Sequence, residues 1–582
     1  MSWYKRLAAE IVAPLIDMDA GELTAQMVRP PSPDMGDVGF PCFTLAQKLR
    51  RAPPKIAAEL AGKITFAEGG VFECAKAVGP YLNFTLSPGI LAEKTVGVAI
   101  GNPRHWGRSD DGAGKTVIVE YSSPNIAKPL GVHHIRSTMI GAALARIYRA
   151  RGWNVVEMNF LGDWGTTFGQ LMVAYKREEM KNPNQPVDVH SLLQLYLKFH
   201  EDADGDETLK DEAREWFLRL ERGDAEALRL WKVFRDESLK ELIKLYERMN
   251  VRFPESAFKG EAFYNDRMDG TIRRLGEKGL LKESQGATVV DLEMYGMPPC
   301  IIKKKDGATI YATRDLASAE YRHETYRFDK SLYVVANQQE LHFRQVFKTL
   351  ELMGYDWAKN CEHVKFGMLS FGPGVFGEEA ATGSTRKGRV IFLEDVLDRA
   401  VEQARTLIKE NARGDEVRAN AAKLAEHVGV GAVVFSEFLQ RRTKDVVFTW
   451  DKALNLHGDS GPYLQYTHAR LSSVLRKGGD RPPETPNWKR LSTRLEKEVM
   501  LKLAEYGDAL ALAVKENEPS LVATHMLELA ADFNRMFTDK ETHRLISDDA
   551  ELTSARLALV EAVRLTIATG LALLGLSAPD AM

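Results

Sequence analysis

Cysteine is scarce in this chain: four in 582 residues, at Cys42, Cys74, Cys300 and Cys361, with no CxxC pair among them. That spacing excludes a disulfide scaffold and a structural zinc site, and it fits a reducing, cytoplasmic setting. Long apolar runs are missing too. Nothing approaches the roughly 18 consecutive apolar residues of a membrane span, so no membrane contact is expected. The opening MSWYKRLAAEIVAPL carries charges through its apolar pattern and does not read as a secretory signal. Neither sign of charge prevails: 78 Lys and Arg stand against 81 Asp and Glu, a net of −3. Net charge therefore does not announce a nucleic-acid binder, although a large enzyme can carry a basic face on a neutral body. What is present is ordinary for a globular protein, 44% hydrophobic and 27% charged residues. The length exceeds one core and implies about two to four domains.

The most informative stretch runs from Val117 to Arg151. Val117-Ile118-Val119 is a short β-branched run, which predicts a buried parallel strand. A Pro-containing polar loop, Ser122-Ser123-Pro124-Asn125, follows. From about Gly131 the period changes: Ile135, Met139, Ala143 and Ile147 recur every four residues and predict a helix with one apolar face. Arg146, Arg149 and Arg151 fall at its negative end, and Gly152 closes it. A second strand is predicted over Asn154–Phe160. Such a strand–loop–helix–strand unit binds ligands in the loop, at the strand's carboxyl end and the helix's amino end. Here that loop carries Glu120, Asn125, Lys128, His133 and His134, a set suited to a polyphosphate. Each residue alone is as well explained by capping or solvation; five together point to a site.

The same edge recurs downstream. Ala308–Leu316 reads as a strand passing into a helix and carries Tyr311 and Asp315. Ser331–Ala336 reads as a buried strand, and Asn337-Gln338-Gln339-Glu340-Leu341-His342 opens the next helix. Leu161-Gly162-Asp163-Trp164-Gly165 predicts a tight turn, with Thr166 or Thr167 capping a helix. Gly36–Pro41 reads as a turn, and strands are expected near Phe72–Val78 and Tyr81–Leu86. A glycine-rich stretch, Phe371–Gly377, leads to Ser384-Thr385-Arg386-Lys387-Gly388-Arg389, a loop ending in cations. Beyond Phe392 the chain is almost wholly helical, with long amphipathic segments at Leu491–Lys515, Pro519–Phe537 and Leu552–Leu574.

These motifs carry a resemblance. SSPNIAKPLGVHHIRST is similar to the signature of the arginyl-tRNA synthetases, class I enzymes whose loop reads Ser-Pro-Asn-Ile-Ala-Lys-Pro and then His-x-Gly-His. The match is close through Pro129 and then departs. The tetrad here is Gly131-Val132-His133-His134, with glycine at the first histidine's place, histidine at the glycine's, and only His134 as the pattern has it. The Gly-Asp-Trp-Gly segment, the Tyr311–Asp315 and Asn337–His342 motifs, Gly458–Arg470 and the ending Leu576–Met582 are also family-like. The cationic loop resembles the family's Lys-Met-Ser-Lys-Ser type loop, but Thr382-Gly383-Ser384-Thr385 lacks its first lysine and methionine.

The resemblance implies a fold and a reaction. The fold class is α/β: a Rossmann-type parallel-sheet catalytic domain with an N-terminal α/β domain and a C-terminal all-helical anticodon-binding domain. The expected boundaries are 1–112 for a tRNA-elbow domain in which Arg50, Arg51 and Lys55 could face phosphates, and 113–400 for the catalytic domain, with a mostly helical insertion at about 175–305. A helical connector at 401–450 and the anticodon-binding domain at 451–582 complete the chain. The reaction would be ATP- and Mg²⁺-dependent activation of L-arginine and its transfer to tRNA(Arg), by a monomer with no tightly bound prosthetic group and no protein-held metal. Glu120, Asn125, Tyr311, Asp315 and Gln339 would line the arginine pocket. Lys128, His133, His134, Arg386 and Lys387 would neutralise phosphates, Lys128 covering for the missing loop lysine. Gly131, His134, Ser384 and Thr385 would line the nucleotide site. The rival expectation is a non-catalytic paralogue that keeps the fold as a tRNA- or protein-binding module. Its support is the pair of altered signatures. Against it stands the arginine pocket, which a pure binder has no physical need to keep.

Overall fold

The computed structural model describes residues 2–180, 187–305, 311–375, 391–411, 415–479 and 485–582. Near the N-terminus, β1 (Val38–Pro41) and β2 (Phe72–Val78) both pair antiparallel with β3 (Tyr81–Leu86). The helices Trp3–Ile16 and Pro53–Lys63 contribute Tyr4, Ala8, Val12, Ile56 and Leu60 to the core. Gly36–Pro41 is thus more than a turn. Gly36 turns the chain at a φ of 113°, but Val38 and Phe40 are buried, the segment runs in register with β3, and Gly39 exchanges both its backbone hydrogen bonds with Val28. Burial and ladder pairing override the turn-like composition here.

The central sheet is parallel throughout, in the order β10-β9-β4-β5, built from β4 (Thr116–Glu120), β5 (Asn154–Met158), β9 (Lys330–Tyr333) and β10 (Cys361–His363). Val117, Ile118 and Val119 are wholly buried because β4 has neighbours on both sides and is covered on both faces. From β4 the first crossover steps to β5 on one side. After the insertion the chain returns on the other side as β9. The strand order reverses beside β4, and that reversal opens a crevice at the carboxyl ends of β4 and β9. Between β5 and β9 lie the helices Thr166–Glu179, Val189–Asp202, Glu207–Glu221, Ala225–Arg248 and Asn265–Glu277 and a small antiparallel sheet of β6 (Leu281–Ser284), β7 (Ala287–Val290) and β8 (Cys300–Lys303). Neither Thr166 nor Thr167 caps its helix: Gly165 is the cap residue, at φ 129°, and no side chain bonds the first turn. The strand expected before Asp315 falls partly on residues 306–310, outside the described residues, and Tyr311 already begins the helix Tyr311–Tyr326. Tyr311 and Asp315 sit on the first turns of that helix.

Past β11 (Leu369–Phe371) and its parallel partner β12 (Val446–Phe448) the chain is helical. The expected Leu491–Lys515 helix breaks into Arg494–Ala504 and Tyr506–Glu516 at Glu505, which caps both. Ala550–Leu574 is apolar and long enough to cross a membrane by composition, but its residues are mostly buried in the protein core. The family-like ending is stitched down. Gln465 donates to Ser577 O at 3.0 Å, His468 Nδ1–H to Pro579 O at 2.9 Å and Ser472 to Asp580 at 3.0 Å.

The helix His134–Ala150 departs from the expected one-sided pattern. Not only Ile135, Met139, Ala143 and Ile147 but also Arg136, Ser137 and Thr138 are buried. A helix buried on all sides must satisfy its polar side chains internally. Arg136 does so by donating to Gly367 O (3.0 Å), Met368 O (3.3 Å), Lys444 O (2.9 Å) and Arg442 O (3.3 Å). Its Nε lies 3.0 Å from Glu437 Oε2, with both side chains 1% exposed. Burial pushes the Glu437 carboxyl up to about 7, against the opposing pull of Arg136. Removing one partner strands the other. Arg136→Met is expected to cost about 3–5 kcal/mol of stability, measured as a lowered urea midpoint at unchanged m-value. A loss below about 1 kcal/mol, the range of a surface pair, would show that the pair is solvated.

Candidate active site

The chain leaves β4 at Glu120, which lies in register with Tyr333 of β9 and Met158 of β5. It then makes a strained turn. Ser122, Ser123 and Ala127 all have left-handed backbone, at φ 68°, 46° and 69°, which costs on the order of 1–3 kcal/mol each for non-glycine residues. Hydrogen bonds from neighbouring elements hold the strain in place. Ser122 N donates to Ser137 Oγ at 2.9 Å, and Ser122 Oγ meets Tyr246 OH at 2.7 Å and Thr138 Oγ1 at 2.8 Å. Phe160 N donates to Ser123 Oγ at 3.1 Å, and Ala127 N donates to Ser238 Oγ at 3.0 Å. Asn125 is bridged to Gly162 in parallel fashion. The approach is so close that a Cβ on Gly162 would come within 2.0 Å of Asn125 Oδ1. That contact explains the glycine of the Gly-Asp-Trp-Gly segment.

The loop ends in a backbone ladder. Leu393 N donates to Leu130 O at 2.8 Å and Val132 N to Ile391 O at 2.9 Å. His134 then opens the helix, its Nδ1–H donating to Gly131 O at 3.1 Å. The His133 and His134 rings stand 4.0 Å apart, tilted by 39°. Burial, then His133 and Lys128, push His134 down to about 3, and burial and Lys128 also lower His133. At neutral pH His134 is therefore an uncharged ring whose Nε2 carries a lone pair. Its contribution to an anion is place and dipole rather than charge, whereas the exposed Lys128 brings the charge. Ser384, Thr385, Arg386 and Lys387 lie outside the described residues.

Across the crevice Tyr311, 70% exposed, and Asp315 come from one helix and Gln339 from the short turn after β9. His342 Nε2 lies 2.6 Å from Asp315 Oδ2. Glu120 is buried and paired with Arg322, itself packed over the Tyr333 ring at 4.9 Å. Burial raises the Glu120 carboxyl; Arg322 lowers it, and the charge on Asp315 raises it again. A second pair of carboxylates stands beside them. Asp163 Oδ2 meets Arg235 at 3.2 Å, while its Oδ1 accepts Ala262 N at 2.9 Å. Glu261 meets Arg314 at 3.3 Å and is pushed up to about 7 by burial, with Asp163 and Asp315 adding to the rise against Arg314. Sequence reasoning named neither Arg322, His342, Arg314 nor Glu261 as site residues, and quoted Asp163 only as part of a turn. Glu120 and Asp315 had to be answered by cations or donors. Arg314 and His342 stand inside the quoted stretches Ala308–Leu316 and Asn337–His342 and Arg322 lies beyond them, and nothing in the sequence paired any of the three with its carboxylate.

A family model described as tRNA synthetases class I (R), catalytic domain, matches residues 101–450, the arginyl-tRNA synthetase N-terminal domain matches 5–86, and the DALR anticodon-binding domain matches 464–582. The chain belongs to the arginyl-tRNA synthetases. It is 43% identical over the full length of both chains to the arginine–tRNA ligase of Alkaliphilus metalliredigens, and 45% identical, covering 97% of each, to that of Clostridioides difficile. The fold is that of the Thermus thermophilus arginyl-tRNA synthetase, at TM-score 0.78 and 24% identity with 99% of this chain and 100% of that chain covered, and of the Plasmodium falciparum enzyme, at TM-score 0.80 and 20% identity with 100% of both covered. The protein is an aminoacyl-tRNA ligase for arginine rather than a binding module that merely keeps the fold.

The geometry of this synthetase's loop is testable at Gly162. Gly162→Ala drives a methyl group into Asn125 and should displace that side chain. The expected result is a rise in the arginine KM of about ten- to a hundredfold with the melting temperature little changed. An unaltered KM would show that Asn125 can move without consequence for arginine.

Proposed function

We propose that the crevice at the carboxyl ends of β4 and β9 is where arginine is activated, with Asn125, Tyr311, Asp315 and Gln339 meeting the amino acid and Lys128, His133 and His134 meeting ATP. The observation that carries this is convergence. Three stretches spread along the chain between residues 121 and 339, the strained loop 121–134, the helix start 311–315 and the turn 337–339, meet at one sheet edge. A guanidinium is planar, always charged and rich in donors, so its pocket needs an ionised carboxylate and a flat partner. Asp315 supplies the first and Tyr311 the second. Glu120, held by Arg322, contributes its field and its free lone pairs behind them.

The reaction follows from that placement. The arginine carboxylate attacks the α-phosphorus of ATP in line and pyrophosphate leaves. A ribose hydroxyl at the tRNA 3′ end then attacks the acyl carbon and AMP leaves. No enzyme nucleophile is required; the chain's part is to orient the reactants and to meet charge on the phosphates. Lys128 lies beside the stacked imidazoles at the amino end of the helix, where dipole and ammonium act together. Mg²⁺ is proposed to enter as part of the ATP substrate. Arg386 and Lys387 are proposed to close the phosphate site, with Ser384 and Thr385 beside them. A cytoplasmic, monomeric enzyme acting on tRNA(Arg) completes the reading.

Arginine-dependent exchange of pyrophosphate into ATP, with and without tRNA(Arg), tests the assignment as a whole: exchange in the presence of tRNA is expected, and none under either condition refutes it. Asp315→Ala should weaken arginine recognition by about 3–5 kcal/mol, or roughly two to four orders of magnitude, with ATP binding little changed. Near-normal use of arginine by that variant would remove Asp315 from the pocket. Lys128→Ala and His133→Ala should each lower turnover more than they raise the arginine KM, because their contacts strengthen as charge develops on the phosphates. A change confined to arginine affinity would contradict their role.

A further inference from the structure

The carboxylates around the crevice do not share one fate. Glu120 is answered by Arg322, Asp163 by Arg235 and Glu261 by Arg314, each a guanidinium that carries charge at every accessible pH. Asp315 is answered differently. Its one ion-pair partner among the described residues is an imidazole, His342, with Nε2 2.6 Å from Oδ2. The two side chains come from different helices, Tyr311–Tyr326 and Glu340–Leu352, and both are partly open to the crevice, 24% and 19% exposed. Asp315 thus differs from the other three in that no permanently charged group answers it, so it is placed to be the complement of one arriving guanidinium. Its field is felt inside: it raises the carboxyls of Glu120 and Glu261, and it adds to the burial that pushes the Cys300 thiol up to about 11.

An imidazole has no permanent charge, and through Nε2–H it donates one proton to one carboxylate oxygen, so it can fix the plane of the carboxylate. A carboxylate accepts about four hydrogen bonds, so Oδ2 can keep His342 while Oδ1 and a remaining lone pair of Oδ2 receive the guanidinium fork. A lysine or arginine in the same place would fill the pocket from within. We propose that His342 is a positioning residue of the arginine site: its Nε2 proton, given to Asp315 Oδ2, sets the orientation in which Asp315 receives the substrate guanidinium while leaving the carboxylate's charge for that ligand. This rests on the reading that Asp315 binds the guanidinium.

Direct calorimetric titration of the full-length protein with L-arginine, and separately with ATP, tests both layers. Asp315→Asn serves as the control for the underlying reading and should abolish measurable arginine binding. If it binds arginine as the wild type does, that reading fails, and the role of His342 with it. Given a responsive Asp315, His342→Ala should weaken arginine binding about tenfold, the value of one charge-assisted hydrogen bond, and leave the ATP affinity within about twofold. His342→Gln, which places an amide N–H at a similar reach, should recover most of the loss. His342→Lys, which sets a permanent cation on Asp315, should weaken arginine binding further than His342→Ala does. Equal arginine affinity in wild type, His342→Ala and His342→Lys would overturn the proposal. So would parallel losses for arginine and ATP, which mark a general disturbance of the fold.

Discussion

The guanidinium of Arg136 ties together the parts on which catalysis depends. It sits two residues past His134, in the first turn of a largely buried helix, and reaches the carbonyls of Gly367 and Met368 just before β11 and of Arg442 and Lys444 just before β12. Met368 O and Arg442 O also accept the backbone N–H groups of Val446 and Gly367, but Gly367 O and Lys444 O take their donor from the guanidinium, in an interior where an unsatisfied group costs on the order of 1–3 kcal/mol. Glu437, just past the helix Ala421–Ser436, meets the same guanidinium. One face of the helix start thus holds β11 and β12, the strands on either side of the cationic-loop region, and the loop before it is hydrogen-bonded to Ile391–Leu393. The amino end of the helix, where ATP is proposed to bind, cannot shift without moving both.

That arrangement also explains what the sequence could and could not say. The period-four pattern of Ile135, Met139, Ala143 and Ile147 correctly announced a helix, and the β-branched run at 117–119 a buried parallel strand. Neither pattern could announce that Arg136, Ser137 and Thr138 are as buried as the apolar stripe, because Arg136 is answered by distant carbonyls around β11 and β12 and Ser137 and Thr138 by the strained loop at Ser122. The misread turn at Gly36–Pro41 has the same origin. Glycine and proline describe local freedom, whereas β3 decides whether the segment pairs. The threonines after Gly165 failed as caps for a related reason: the glycine at φ 129° already makes the turn, and nothing in the next two residues is needed to start the helix.

The site was legible to different depths. The motif match brought Glu120, Asn125, Tyr311, Asp315 and Gln339 onto one list, and the sheet order brings their backbones to one edge. The residues that answer those side chains were not legible. A carboxylate within a motif says nothing about whether an arginine or a histidine will meet it, yet that difference determines whether the charge is spent within the protein or kept for a ligand. Glu120 and Glu261 are spent on Arg322 and Arg314; Asp315 is not. In the proposed arginine site, recognition of the cation would therefore be a property of the charge balance across four carboxylates, not of any one of them.

The altered tetrad is best understood in the same terms. In the usual pattern glycine sits directly before the last histidine; here it lies three positions before it. Gly131 is buried and bridged to Phe392, so the position that has lost its imidazole has become part of a backbone ladder. The imidazole has reappeared at His133, tilted against His134 at 4.0 Å and held below its usual pKa by burial and then by Lys128. Two imidazoles and one ammonium at the start of a helix preserve the count of groups that the pattern supplies. On the proposed reading the rearrangement would keep a phosphate site and change which backbone atoms approach the nucleotide. A rise in the His133 pKa when ATP binds, followed by its ring carbon resonances in a specifically labelled protein, is expected because the phosphates favour the protonated ring that Lys128 now opposes. An unmoved titration would place His133 outside the field of the phosphates and leave Lys128 and His134 to meet them alone.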